Sequence, residues 1–186
     1  MFNLAYSLEK TVDIDGTLYE VDMSYDNILR LYELLNDEEI DDRTQVEIAL
    51  VMLLGVELDL NIQVKSDILR EIYNQLIAGD RQMEQAIDIQ GNPMPEVVKG
   101  NNPPYSIKQD AEYIYASFMQ DYQIDLFEQQ GKLDWRKFLA LLDGLKGDTR
   151  FKEVVNIRTM ELPSGKGSAK QREKINKAKK AYQLKG

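Results

Sequence analysis

Residues 132–151 read KLDWRKFLALLDGLKGDTRF, and the nature of this run decides the fold. Trp135, the single tryptophan of the chain, stands with Phe138, Leu139, Leu142 and Leu145 at i, i+3, i+4, i+7 and i+10. That spacing is the stripe of an amphipathic helix. Asp134 occupies the cap position, Leu133 can staple to Phe138 across it, and Gly147 ends the run. Trp135 then reads as a core anchor, because burying an aromatic or leucine side chain contributes roughly 1.5–3 kcal/mol before entropy, and short helices need such anchors. The other reading is that part of this face is a groove for a partner helix. Spacing alone does not separate the two.

The same pattern continues on both sides. Downstream, Asp148 caps a helix with Phe151, Val154, Val155 and Arg158 in one stripe, ending near Leu162-Pro163. Upstream, Ser106 with Gln109 forms a capping box, followed by Ala111, Ile114, Tyr115, Phe118 and Tyr122 on one face. Residues 79–105 break the pattern with Gly91, Pro93, Pro95, Gly100 and Asn101-Asn102-Pro103-Pro104, which reads as a long loop.

Before that loop, VDIDGTLYEV (Val12–Val21) is a hairpin signal. Asp15-Gly16 suits a type I′ turn, which pairs Val12 with Tyr19 and Ile14 with Thr17. Val12, Ile14, Tyr19 and Val21 then share a face. Ser24 can cap a helix with Ile28, Leu31, Tyr32 and Leu35 on its face. Asp42 with Gln45 opens another through Ile48, Val51 and Met52 that stops at Gly55. Ser66 precedes a third, with Ile68, Leu69, Ile72, Tyr73, Leu76 and Ile77, closed by Gly79. Between the last two, VELDLNIQV alternates strictly at Val56, Leu58, Leu60, Ile62 and Val64, which argues a strand. The fold expected is mainly α: a helical, bundle-like protein with a small N-terminal β-hairpin and a basic C-terminal tail able to form a helix. The expected parts are 1–79 (hairpin and helices), 80–105 (linker), 106–162 (C-terminal helices) and 163–186 (basic flexible tail).

Composition narrows the chemistry. The chain has neither cysteine nor histidine, which removes disulfides, thiolate nucleophiles, Cys/His zinc sites and every Ser-His or Cys-His catalytic arrangement. The expectation is a protein that is not an enzyme and has no cofactor, no metal and no catalytic residues. No apolar run approaches the ~20 residues a membrane span needs, and the N-terminus lacks the pattern of a signal peptide. Residues 163–186 carry eight Lys/Arg and one Glu, against 15 basic and 31 acidic residues in 1–162. The acidic body repels nucleic acid. The basic tail, through Lys170, Arg172, Lys174, Lys177, Lys179 and Lys180, is the one part suited to phosphates or to an acidic partner. It holds a single aromatic, Tyr182, too few for a stacking platform.

Three motif candidates fail on spacing. Aligning Gly16 to the glycine of a calcium loop puts Thr11 in the first ligand position and Asp22, not Glu, in the last. Ser164-Gly165-Lys166-Gly167-Ser168 lacks both the leading glycine and the Ser/Thr of a phosphate loop, and reads as a linker. Asp37, Glu38, Glu39, Asp41 and Asp42 read as a solvated loop that favours the next helix N-terminus.

YSIKQDAEYIYASFMQDYQIDL, LDWRKFLALLDGLKGDT and FKEVVNIRTMELP together resemble the bacteriophage gene-product-fifteen family. The resemblance is carried by the helix from Asp110 to Phe118, the Tyr122–Leu126 stretch, Trp135/Phe138 with Leu141-Leu142, the Gly144–Thr149 turn and Ile157-Arg158. It is most specific from Tyr105 to Leu162. Members often have a histidine before the tryptophan, where this chain has Asp134.

The resemblance implies a protein of the tail region of long-tailed phages, encoded ahead of the tape-measure gene and acting as a tail assembly chaperone. Such a protein coats the tape-measure protein until tail tube subunits polymerise around it. It works in the host cell cytoplasm and is absent from the mature virion. Its partner-binding residues are then expected among Tyr113, Tyr115, Met119, Trp135 and Phe138, with Arg158 pairing an acidic group. Homo-oligomers are compatible with that role. The rival readings are a structural tail or connector protein of the virion, and a nucleic-acid-binding accessory protein acting through the basic tail.

Overall fold

A computed structural model of the chain describes residues 3–78, 104–164 and 168–185. The described residues form two compact units. One takes the chain up to 78 together with 129–140; the other takes 104–128 together with 141–185. This division departs from the expected parts, for the tail counts with the second unit and residues 129–140 with the first. Residues 129–140, read from sequence with the C-terminal helices, pack with the N-terminal elements.

The first unit opens with the hairpin, β1 (Thr11–Ile14) and β2 (Thr17–Glu20), in the expected antiparallel register of Val12 with Tyr19 and Ile14 with Thr17. Asp15 and Gly16 both take positive φ, 51° and 80°, as a type I′ turn demands. Asp13 spends its carboxylate on the turn, accepting from the Gly16 N–H at 2.8 Å, so it does the work of a turn and not of a calcium loop. Val12 and Ile14 are buried and continue into buried Val21 and Met23.

Three helices follow: α1 (Tyr25–Leu35), α2 (Asp42–Leu54) and α3 (Ile62–Ile72), the last running on as a π-helical segment, Tyr73–Ala78. Buried Asn27 ties α1 to α2 by donating to the Asp22 and Met52 carbonyls at 3.1 and 2.9 Å. The segment around Trp135 is laced to the start of α1 by main chain. Tyr25 N–H donates to the Leu133 carbonyl at 2.9 Å and Trp135 N–H to the Met23 carbonyl at 2.7 Å. Those bonds are why residues 129–140 belong to this unit.

The expected strand at 56–64 does not form. Asn61 caps α3, its Oδ1 accepting from the Val64 N–H at 3.0 Å, and the helix starts at Ile62. Only Leu58 of the alternating residues is buried, while Val56 and Val64 are exposed, so the alternation marks no sheet face. Ser66, expected ahead of the helix, lies inside it and donates to the Ile62 carbonyl at 2.9 Å. The closing Gly79, most of the 80–105 linker and Gly165–Gly167 lie outside the described residues.

The second unit contains α4 (Ala111–Tyr122), a short 3-10 turn (Phe127–Gln129, its last residue counted with the first unit), α6 (Arg150–Thr159) and α7 (Ala169–Ala181). α5 (Trp135–Asp143) opens in the first unit, and its residues from Leu141 on belong to the second. Ile114 and Phe118 of α4 and Phe151 and Val154 of α6 are buried. Buried Ser117 joins the two helices, accepting from the Phe151 N–H at 3.0 Å while donating to the Tyr113 carbonyl at 2.7 Å. The tail, read as a flexible arm with helical capacity, is helical over 169–181 and is held at its end by side chains of this unit, described below.

Candidate interaction surfaces

The run that opened the sequence reading is core. Trp135 is 4% and Phe138 1% exposed and Leu139 is buried in the same unit, while Leu142 and Leu145 are buried residues of the second. The Phe138 ring stacks on Tyr25 at 5.0 Å and on Trp135 at 5.6 Å, and Trp135 meets Tyr32 at 5.8 Å. Trp135 and Phe138 are therefore struck from the expected contact residues. Each of these side chains packs on two aromatic neighbours and is almost wholly closed to another chain. Among the described residues the buried Trp135 Nε1–H finds no acceptor.

Tyr113, Tyr115 and Met119 lie on α4 in the second unit. Tyr113 and Tyr115 are half-buried, and Met119 is exposed. The Tyr115 ring packs on Phe127 at 5.4 Å and its hydroxyl donates to Asp125 Oδ2 at 3.3 Å. Loss of solvation, then the Asp125 charge, push the Tyr115 phenol above its ordinary value. Phe127 itself is 69% exposed. Tyr115 and Met119 sit one turn apart on α4, so Tyr115, Met119 and Phe127 make an apolar patch on this unit. Phe127 escaped the sequence reading because it stands in a short turn with no periodic neighbours.

A second patch lies on α2. This helix, read from sequence as running through Ile48, Val51 and Met52 to Gly55, buries Ala49, Leu50, Leu53 and Leu54. Ile48 and Val51 are 40% and 39% exposed. The segment ALVMLL is apolar on every side, so periodicity could not choose the buried face.

Arg158 does pair an acidic group. It forms a bidentate bond with buried Asp110, both contacts at 2.7 Å, and donates to the Pro104 carbonyl at 3.1 Å. It is thereby a structural clamp.

Of the basic tail residues, Lys170, Arg172, Lys174, Lys177 and Lys180 are exposed and Lys179 is half-buried, all on α7. Lys179 and Lys180, with Asn176 and Gln183, form one side of an open cleft of about 540 Å³ that has Pro104 and Arg158 on the other. The tail's one aromatic, Tyr182, is engaged with Tyr113 and Arg150, so it is not available to stack on a base.

The acidic loop is used for capping: Asp37 accepts from the Glu39 N–H at 2.9 Å and Asp41 from the Thr44 N–H at 3.1 Å. Among the described residues no three His, Cys, Asp or Glu side chains gather as a metal site, and no helix is long and apolar enough to cross a membrane.

The model of the family described as Bacteriophage Gp15 protein matches residues 4–184. No curated protein and no solved structure matches the chain. The match takes in both compact units and α7, nearly the whole sequence, and the chain belongs to the Bacteriophage Gp15 protein family.

Proposed function

We propose that this phage protein acts in tail morphogenesis as an assembly chaperone, shielding apolar segments of the tape-measure protein until the tail tube polymerises. The observation that carries the reading is the Tyr115, Met119 and Phe127 patch, apolar side chains left at the surface of a protein from a phage family. The Ile48 and Val51 strip on α2 adds a second such surface. Both are short helix-borne strips of the kind that cover the apolar face of another helix. The action is non-covalent, with no bond made or broken and no cofactor. Tube subunits release it by binding the same client surface more tightly. It works in the host cytoplasm and leaves before the virion is complete.

Co-expression with the tape-measure protein encoded beside it tests the reading. Rescue of the tape measure's solubility, with a co-purifying complex, is the expected result. A folded, soluble chain that rescues nothing, and is found in stoichiometric amounts in purified particles, would overturn it in favour of a structural tail protein.

A further inference from the structure

The apolar strip on α4 is bordered by two carboxylates, Asp125 and Glu112, that no cation meets among the described residues. Asp125 lies between Tyr115 and Phe127, and its oxygens accept from neutral donors, the Tyr115 hydroxyl at 3.3 Å and the Phe127 N–H at 2.9 Å. Glu112 is exposed one turn before Tyr115 on the same side of α4, and its side chain makes neither a hydrogen bond nor an ion pair among the described residues. Glu128 follows Phe127, and its charge joins that of Asp125, behind loss of solvation, in raising the Tyr115 phenol. The α2 strip differs: Glu47, beside Ile48, already has Arg43 at 3.3 Å and Lys65 at 3.8 Å.

Covering the α4 patch takes water from these carboxylates. A partner with an apolar border would leave both charges without solvent or counter-charge, and an acidic border would repel them. Lys or Arg at the border would pair with them while laying its methylene stem on the apolar surface. The chain's own basic helix, α7, is not that partner, because it is seated elsewhere on the unit. The residues after it are held by the Tyr182 ring against Tyr113 and Arg150, and by Gln109, which bonds the Lys185 N–H and carbonyl at 2.8 Å each. An anionic membrane surface would meet the carboxylates with like charge. Glu112 also suits the positive end of α4, a stabilising role that leaves its outward charge in place.

We propose that Tyr115, Met119 and Phe127 receive an amphipathic helix whose apolar stripe is bordered by Lys or Arg, and that Glu112 and Asp125 select that border. The inference rests on the shielding role proposed above and deepens it, by naming which apolar segments of the client this surface takes.

Three labelled helical peptides of about 20 residues, alike in a leucine stripe and bordered by Lys, Gln or Glu, test this by fluorescence anisotropy. The titrations use the full chain with Ile48→Ser and Val51→Ser, so that the α2 strip does not contribute. At low salt the Lys-bordered peptide is expected to bind about fivefold tighter than the Gln-bordered one, the scale of two exposed ion pairs, and the Glu-bordered one weakest. Salt at ~0.5 M should close the gap. Adding Glu112→Gln with Asp125→Asn should remove the preference. Glu38→Gln with Glu39→Gln, an equal change of net charge at exposed residues of the first unit, should keep it. Glu112→Gln alone should lower it about twofold, so the result does not hang on the turn that Asp125 holds. Peptides bound alike or not at all would overturn the inference. So would a preference that survives the Glu112 and Asp125 changes, one that falls equally with the Glu38 and Glu39 changes, or anionic vesicles that compete for the patch. If the tape measure is rescued all the same, the shielding role stands without this inference. A charge-selective patch on a chain that rescues no tape measure keeps the surface and overturns that role.

Discussion

Asp134 carries a buried charge whose energetics can be read from its neighbours. Burial pushes its carboxyl up. The Arg136 side chain (2.8 and 3.0 Å), the Arg136 N–H at 2.9 Å and the guanidinium charge reverse this and leave it below its ordinary value of 3.8. A carboxyl lowered in the folded state adds stability above its unfolded pKa and loses it as pH falls through the folded one. Thermal midpoints followed from about pH 5 to about pH 3 should fall more steeply for the wild type than for Asp134→Asn. Equal slopes would show that Asp134 does not contribute to acid sensitivity. Trp135 gives a second prediction at this scale. Trp135→Ala should cost roughly 3–5 kcal/mol in denaturant unfolding. Trp135→Phe should cost far less, because it keeps most of the packing and removes a buried N–H without a protein acceptor, a penalty of roughly 1–3 kcal/mol. The helical stripe through Trp135 was legible in sequence. Its burial was the favoured reading and is what the structure has, but spacing alone could not exclude a partner groove, because a core helix and a partner-binding helix share one period.

Among the elements, the sequence marked turns and helix stripes well and helix starts poorly. The hairpin register was readable because Asp15-Gly16 admits few conformations. The stop of α2 was readable because the residue that caps its C-terminus, Gly55, takes a φ of +70° that other residues resist. Starts slipped because several polar residues compete for each cap. Asp41, not Asp42, holds the Thr44 N–H; Thr149, not Asp148, precedes α6; and Asn61, inside an alternating run, opens α3. A cap is decided by which carboxylate or amide can fold back onto the chain, and neighbouring candidates look alike in sequence. Asp41→Ala and Asn61→Ala should each lower unfolding stability by about 1 kcal/mol, whereas Asp42→Ala should lose only a few tenths as a first-turn acid. Urea titrations of the three variants check this; a larger loss at Asp42 would move the cap back to it.

At the scale of the whole molecule, the helices were legible but their grouping was not. Residues 129–140 pack with elements a hundred positions earlier through main-chain bonds such as Tyr25 N–H to Leu133 O, which leave no trace in side-chain pattern. The same holds for the surfaces: only packing reveals that α2 turns Ile48 and Val51 outward and that Phe127 stands exposed. Among the described residues, each unit thus carries an exposed apolar strip. On the chaperone reading proposed above, two weak sites on one chain that engage one long client would bind more tightly than either alone, because the second contact forms at high effective concentration. Ile48→Ser with Val51→Ser in one variant, and Met119→Ser with Phe127→Ser in another, should shift stability little, since these side chains are already partly in water. In binding titrations against the tape-measure protein, either pair should weaken affinity by about tenfold or more, as a two-handed grip becomes one-handed. The four-residue variant should then abolish binding while keeping the fold. A client bound equally well by both single-patch variants would show that neither strip is the grip, however exposed it stands.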